Sequence, residues 1–412
     1  MRKKIAVFIL LCTVLFLTSG CWDKREIEEL AFVIGVALDP VNGEDEQITE
    51  IRETMPGVNI NNLFTSTFQI AIPGQLSTEG GGGGGGMNGG QSFYNESMVG
   101  VSNFHNIRNL MNSSSRRLNF EHARVLIIHE ELAQRGLLKH VMDLFVRDHE
   151  MRRKSMVFIS RGEAKKILDV QPPLEDFTAM YIERVAENYE AASGMMPPRE
   201  FGDISRLMLG SVSYVIPGIK YEGEHKLSME GAAVFNGLQN VMVGWLDAEE
   251  MMEYNLIMGE QTNTHVEVPF REQHFTYEIA ESHPSLTYER KNGEDHFRLE
   301  IKTSGFFSEN WVNDLLVDNV RILMELEKAA ESQIKKEVEN LLHRAQHEFH
   351  VDLFRFDEKV RAKEYDYWKD IKETWDGEDG KYTEAKIDVH VKATIEHYMT
   401  HEGLDRKRSH KR

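Results

Sequence analysis

Both cysteines of this 412-residue chain, Cys12 and Cys21, fall within its first 21 positions. Whatever folds after them has no disulfide to draw on, so its stability must come from burial. The same stretch carries its own pattern. Arg2, Lys3 and Lys4 form a basic start, and Ile5 to Leu17 is apolar except for Thr13. That run is about 13 residues, where a spanning helix needs about 20, so it reads as an export signal. Thr18-Ser19-Gly20 then lead directly into Cys21. A cysteine behind small residues reads as a lipobox, on which a thioether-linked diacylglycerol is built before cleavage. Thr18 stands where a branched aliphatic is usual, with Leu17 one place earlier. A plain secretory peptide is the blander reading, but the cysteine sits at the expected cut. Cys21 is therefore expected to carry the S-diacylglycerol and N-acyl chains, and Cys12 to leave with the peptide.

Roughly 390 mature residues exceed what one core serves, which predicts two or three domains. Loss of three signal-peptide cations takes the formal net charge from −19 to −22. Such a field disfavours nucleic acid, whose binding rests on neutralising phosphates. It also disfavours flat adsorption on an anionic membrane, so a lipid anchor has to hold the chain there. No later segment is long and apolar enough to read as a span.

The pattern predicts an α+β protein. Leu30–Leu38 reads as a buried strand, and Gln47–Thr54 and Thr65–Ile72 as further strands. Gly80–Gly86 is a run of seven glycines. No Gly-Lys-Ser/Thr follows, so it reads as a flexible surface loop rather than a phosphate cradle. Asn103–Leu118 is expected to be helical, with Phe104, Ile107, Leu110, Met111 and Leu118 near one face. A strand at Ala123–Ile128, a single helix over Glu130–Arg147, a strand at Met156–Ser160 and a short helix at Gly162–Asp169 follow. Gly231–Phe235 and Val241–Leu246 flank Asn236-Gly237, a tight-turn pair, and Asp247 is placed to cap a helix. Segments near 264–270, 273–281, 285–291 and 296–304 look extended. Glu309–Phe349 reads as a long helix, Asp357–Thr374 as another and Ala385–Ile395 as a half-buried strand. The expected division is a signal peptide at 1–20, an N-terminal α+β domain at 21–195 with its glycine-rich loop at 80–90, a middle domain at 196–262, a C-terminal α+β domain at 263–400 and a basic tail at 401–412. The long C-terminal helix is expected to pack on an antiparallel sheet.

Catalytic motifs do not emerge. There is no Gly-x-Ser-x-Gly elbow. His129-Glu130 begins like a zinc-protease helix, but position 133 is Ala133, so the second ligand is missing. His343, His347 and His350 form a cluster that could share a metal, but they are read as a solvated, charge-rich helix face, since chance pairs are common among seventeen histidines. No cofactor and no enzymatic activity are expected.

Four blocks resemble the Ger(x)C family of spore germination lipoproteins. The first is Gly20-Cys21-Trp22-Asp23-Lys24-Arg25-Glu26-Ile27, running on to Leu30–Val33. The second is Ser115–Leu118 through His122–Val125 and Glu130–Ala133. The third joins Gly231–Phe235 to Gly244-Trp245-Leu246-Asp247, and the fourth joins Asp352–Phe356 to Trp368 and Trp375. The resemblance implies a three-domain α+β lipoprotein without enzymatic activity, the C-type subunit of a spore nutrient germinant receptor. It also implies a place on the outer face of the spore inner membrane, with integral membrane A-type and B-type subunits as partners. A solute-binding lipoprotein feeding a transporter is the alternative, although such proteins show two similar strand–helix lobes.

Overall fold

The computed structural model describes residues 29–41, 43, 46–72, 92–148, 150–260, 264–312 and 320–396. Cys21, the glycine-rich loop at 80–90 and the tail at 401–412 lie outside them. Fourteen strands are described. They are β1 (Leu30–Pro40), β2 (Phe64–Ala71), β3 (Phe93–Gly100), β4 (Arg117–Asn119), β5 (Val125–His129), β6 (Met156–Arg161), β7 (Tyr214–Gly223), β8 (Lys226–Ser228), β9 (Ala232–Asn236), β10 (Val241–Leu246), β11 (Thr264–Phe270), β12 (Gln273–Lys291), β13 (Glu294–Asn310) and β14 (Lys386–Glu396).

The first ten form one mixed sheet in the order β10-β9-β7-β6-β5-β1-β2-β3, with β4 beside β1 and β8 beside β7. Its centre, β1-β5-β6-β7, is parallel. Parallel strands need helical crossovers on their faces and so are buried on both sides. This is why Leu30–Leu38 and Val125–Ile128 read as unbroken apolar runs. Leu126 and Ile128 face a core built with Leu138, Val141 and Phe145 of the helix Leu138–Arg147. Val125 and Ile127 face the opposite core, with Ile167, Leu168 and Ile182 of the helices Ala164–Leu168 and Thr178–Glu187.

The second sheet is β11-β12-β13-β14. Its first three strands are antiparallel, and β14 joins β13 in parallel. Asn292 and Gly293, both at positive φ, close the long β12–β13 hairpin between the paired Lys291 and Glu294, as a two-residue turn demands. The helix Val320–Arg344 lays Leu326, Ala330, Ile334, Val338 and Leu341, three or four apart, on this sheet. That spacing is one helical stripe. The α+β architecture is thus present as two unlike sheets and a long C-terminal helix.

Several local expectations are corrected. Glu46–Thr54 is a helix, not a strand, because Ile48 and Ile51 are three apart and both pack with Leu63 and Val99. The helix at Asn103 ends at Leu110, and Leu118 lies on β4. Its inner face is Asn103, Asn106 and Leu110, with Phe104 56% exposed. Glu130–Arg147 is two helices, Glu130–Gln134 and Leu138–Arg147, split at Gly136, whose φ of 72° ends the first. Glu309 belongs to β13, and the long helix is described from Val320. The region Asp357–Thr374 divides into Phe356–Lys363 and Tyr365–Ile371. The β9–β10 loop spans four residues, Gly237 to Asn240, since Asn236 pairs with Val241. Its left-handed residue is Asn240, while Gly237 is needed because a Cβ there would stand 2.0 Å from the Val212 carbonyl oxygen. The middle segment 196–262 contributes no sheet of its own. β7 hydrogen-bonds in parallel to β6, and β9 and β10 follow it outward, so the first sheet runs through the expected boundary at 195/196.

Candidate functional site at the junction of the two sheets

β9 has both faces buried, one against each half of the molecule. Ala233 and Phe235 pack into the core of the first sheet, while Ala232 and Val234 pack into the core of the second. Alternation at period two puts neighbours on opposite faces, so a wholly apolar Ala-Ala-Val-Phe serves two cores. On the next strand Gly244 meets Phe349, which ends a π-helical turn at Ala345–Phe349. Asp247 then opens the helix Ala248–Met258 with a capping box. Its Oδ1 accepts from the Glu250 amide at 2.9 Å, and Glu250 Oε2 accepts from the Asp247 amide at 3.0 Å. The other oxygen of Glu250 pairs with Arg344, whose guanidinium lies 4.7 Å from the centre of the Phe349 ring. Trp245 points the other way. Its Nε1 donates to Glu130 Oε2 at 2.9 Å, and Arg161 lies 4.4 Å from its ring centre.

A second set of contacts is built from three aspartates. Asp352 Oδ1 accepts from the Phe354 amide at 3.0 Å, and its Oδ2 accepts from the Asp357 amide at 2.8 Å and Trp375 Nε1 at 3.0 Å. Asp376 Oδ1 accepts from the Asp352 amide at 2.8 Å. Asp376 Oδ2 accepts from the Ser213 hydroxyl, which in turn accepts from the Gly237 amide at 3.0 Å. One chain of hydrogen bonds thus links the β9–β10 loop, Ser213 just before β7, and the C-terminal helices. Trp375, 4% exposed, sits at the centre of a ring cluster with Phe297, Trp368 and Tyr382.

Beside these groups lies a cavity of about 310 Å³, lined by Ser211, Leu238, Asp357, Arg361, Trp368 and Lys372 among others. Asp357 is 6% exposed and its Oδ1 has no hydrogen-bond partner. Burial, reinforced by the neighbouring Asp352 charge, pushes Asp357 and Asp376 up to about 7. Burial also raises Asp352, against the pull of the amides and indole it accepts from. Both oxygens of Asp352 and of Asp376 hold amide, indole or hydroxyl donors of the chain itself, so this cluster fixes how the two halves meet.

Of the residues singled out in the sequence, Asp352, Trp368, Trp375, Gly244 and Asp247 converge here. Ser213 and Asp376 gave no local signal, since their contact spans 163 positions. His129 caps the helix Glu130–Gln134 through Nδ1, which accepts from the Glu131 amide at 3.0 Å. The rings of His343 and His347 lie 4.6 Å apart on an exposed face. His350 Nδ1 instead donates to the Gln346 carbonyl at 3.0 Å. Among the described residues no group of three or more His, Cys, Asp or Glu side chains is arranged to hold a metal.

Comparison with known proteins fits this two-part build. Residues 23–221 match the spore germination protein N-terminal domain, and residues 230–399 match the spore germination B3/GerAC-like C-terminal domain. The chain belongs to the Ger(x)C family of spore germination proteins. Ger(x)C relatives in Bacillus subtilis align over nearly their whole length. Spore germination protein YndF is 27% identical over 406 residues, covering 97% of this chain and 98% of that protein. Spore germination protein B3 is 24% identical over 393 residues, covering 95% and 97%. The crystal structure of the GerBC protein superposes with a TM-score of 0.56 at 21% identity, covering 90% of this chain and 99% of that one. That likeness establishes a shared Ger(x)C fold. Among the described residues no helix is long and apolar enough to cross a membrane.

Proposed function

We propose that this protein is a lipid-anchored subunit of a spore nutrient germinant receptor and acts by binding other proteins rather than by catalysis. The observation that carries the reading is the match of both family domains, 23–221 and 230–399, across nearly the whole chain. Relatives of full length are named as spore germination proteins, B3 and A3 among them. The anchor is Cys21, on the extracytoplasmic face of the spore inner membrane, and the partners are integral membrane A-type and B-type subunits. The junction supports a scaffold role, because its buried aspartates bind the chain's own amides, indole and hydroxyl. The two sheets, of ten and four strands, are unlike. This gives no support to the alternative of a solute-capturing protein with two similar lobes.

Deletion tests the proposal. Spores lacking the protein should lose the response to one class of nutrient yet germinate through nutrient-independent triggers, and the intact protein should co-purify with two integral membrane proteins. A normal response to every nutrient, or purification without membrane partners, would refute it.

A further inference from the structure

The cavity of about 310 Å³ takes its walls from both sides of the junction between the sheets. Ser211 follows the helix Phe201–Gly210, and Leu238 lies in the β9–β10 loop. Asp357, Arg361, Trp368 and Lys372 come from the C-terminal helices. Its size is at the small end for small-molecule sites, which span about 300–1,000 Å³. Three aspartates line it, and two are occupied. Asp352 and Asp376 give both of their oxygens to the chain's own donors. Asp357 is different. It is 6% exposed, it lines the cavity, and its Oδ1 has no hydrogen-bond partner. Native interiors rarely leave a buried acceptor unmatched, so this one calls for a donor from outside the fold.

The rest of the lining says which donor fits. Asp357 and Arg361 stand one turn apart on the helix Phe356–Lys363. Trp368 and Lys372 stand one turn apart on the helix Tyr365–Ile371 and its C-cap. Residues four apart share a helix face, with Cβ atoms about 5–6 Å from each other. Each helix thus brings a cation one turn beyond an acid or an indole ring. The Arg361 charge pulls on Asp357 but leaves Oδ1 unmatched. Among the described residues no trio of His, Cys, Asp or Glu side chains is arranged for a metal ion. An ammonium group suits the site better. Asp357 supplies its counter-charge, and Trp368 is an aromatic wall of the kind that attracts ammonium groups. Arg361 and Lys372 then suit a carboxylate on the same molecule. Leu238, 52% exposed, offers it apolar contact.

We infer that this cavity binds a small zwitterion, an amino-acid-like molecule whose ammonium group meets Asp357 and whose carboxylate meets Arg361 and Lys372. Such an occupant touches the β9–β10 loop and the C-terminal helices together, so its binding ties the two halves of the molecule more tightly. The inference goes beyond the receptor-subunit reading and does not rest on it.

Calorimetric titration of the full chain with L-norvaline and with δ-aminovalerate tests this. At least one of them should bind saturably, one molecule per chain, and should raise the unfolding midpoint as its concentration rises. The compounds n-butylamine and valerate each keep one charge of norvaline, and each should bind about ten-fold or more weakly. Asp357→Asn should weaken binding of the amino acid by a similar factor. Because that variant alters a buried group, the exposed pair Arg361→Gln/Lys372→Gln provides a second measurement, with the same loss expected. Absence of binding by both amino acids would overturn the inference. Butylamine or valerate binding as well as norvaline would also overturn it, as would binding unchanged in either variant.

Discussion

The ring of Phe349 lies so close to Gly244 that a Cβ built on the glycine would stand 2.5 Å from the phenylalanine Cε1 atom. The two residues belong to different sheet units, so this contact sets how near β10 and the end of the long helix can come. Gly244→Ala should cost about 1–3 kcal/mol, the range for overpacking a close-packed site. Phe349→Leu in the same chain should recover part of that loss, giving a measurable coupling between the two positions. Denaturant unfolding of the four chains of this cycle checks it. A Gly244→Ala chain as stable as the parent would show that the junction yields freely.

Asp352 is expected to be irreplaceable by its amide. It accepts from two backbone amides and the Trp375 indole. Asn at this position would turn one acceptor into a donor facing donors. Each buried donor left without a partner costs about 1–3 kcal/mol, so Asp352→Asn should lose at least about 2 kcal/mol. Trp375 fluorescence, shifting to longer wavelength as the indole gains solvent, provides a second readout. Retained stability with an unshifted spectrum would contradict this account.

The raised aspartates give a pH dependence with a definite sign. Asp357 and Asp376 titrate near 7 in the folded protein, against 3.8 for an ordinary aspartate. Between those values the folded state binds more protons than the unfolded state, so stability falls as pH rises. Their contribution is complete below about pH 4 and is lost as pH passes 7. Unfolding measured near pH 5 and near pH 8 should show the folded state weaker at the higher value. Asp357→Asn should flatten that fall at little cost, because Oδ1 of Asp357 has no partner to lose. An equally steep fall in that variant would remove Asp357 from the explanation.

Cys21→Ala should abolish lipid labelling and leave the export peptide uncut at position 21. Incorporation of a labelled fatty acid into the variant, compared with the parent, measures this directly. Undiminished labelling would move the anchor elsewhere.

The sequence made the strands legible wherever one rule governed them. β1 and β5 were readable as apolar runs and β14 as a half-buried strand. It misled where spacing was short or burial was polar. Two isoleucines three apart at Ile48 and Ile51 were too few to outweigh a strand reading. The inner face of the Asn103–Leu110 helix was invisible to a search for apolar stripes, because Asn103 and Asn106 are buried through hydrogen bonds to Ser66.

What the chain order alone determined is its local chemistry: the pattern ending at Cys21, the cap at Asp247, the apolar stripe of the long helix and the family blocks themselves. Only the tertiary structure decided that Ala232–Phe235 serves two cores, that Ser213 and Asp376 meet, and that Glu253 is buried with Glu337 raising its pKa. Local pattern records which residues favour burial or a turn, since those preferences act within a few positions. Which face meets which, and which acid loses its water, depends on packing between segments more than a hundred residues apart, and no short-range periodicity encodes it.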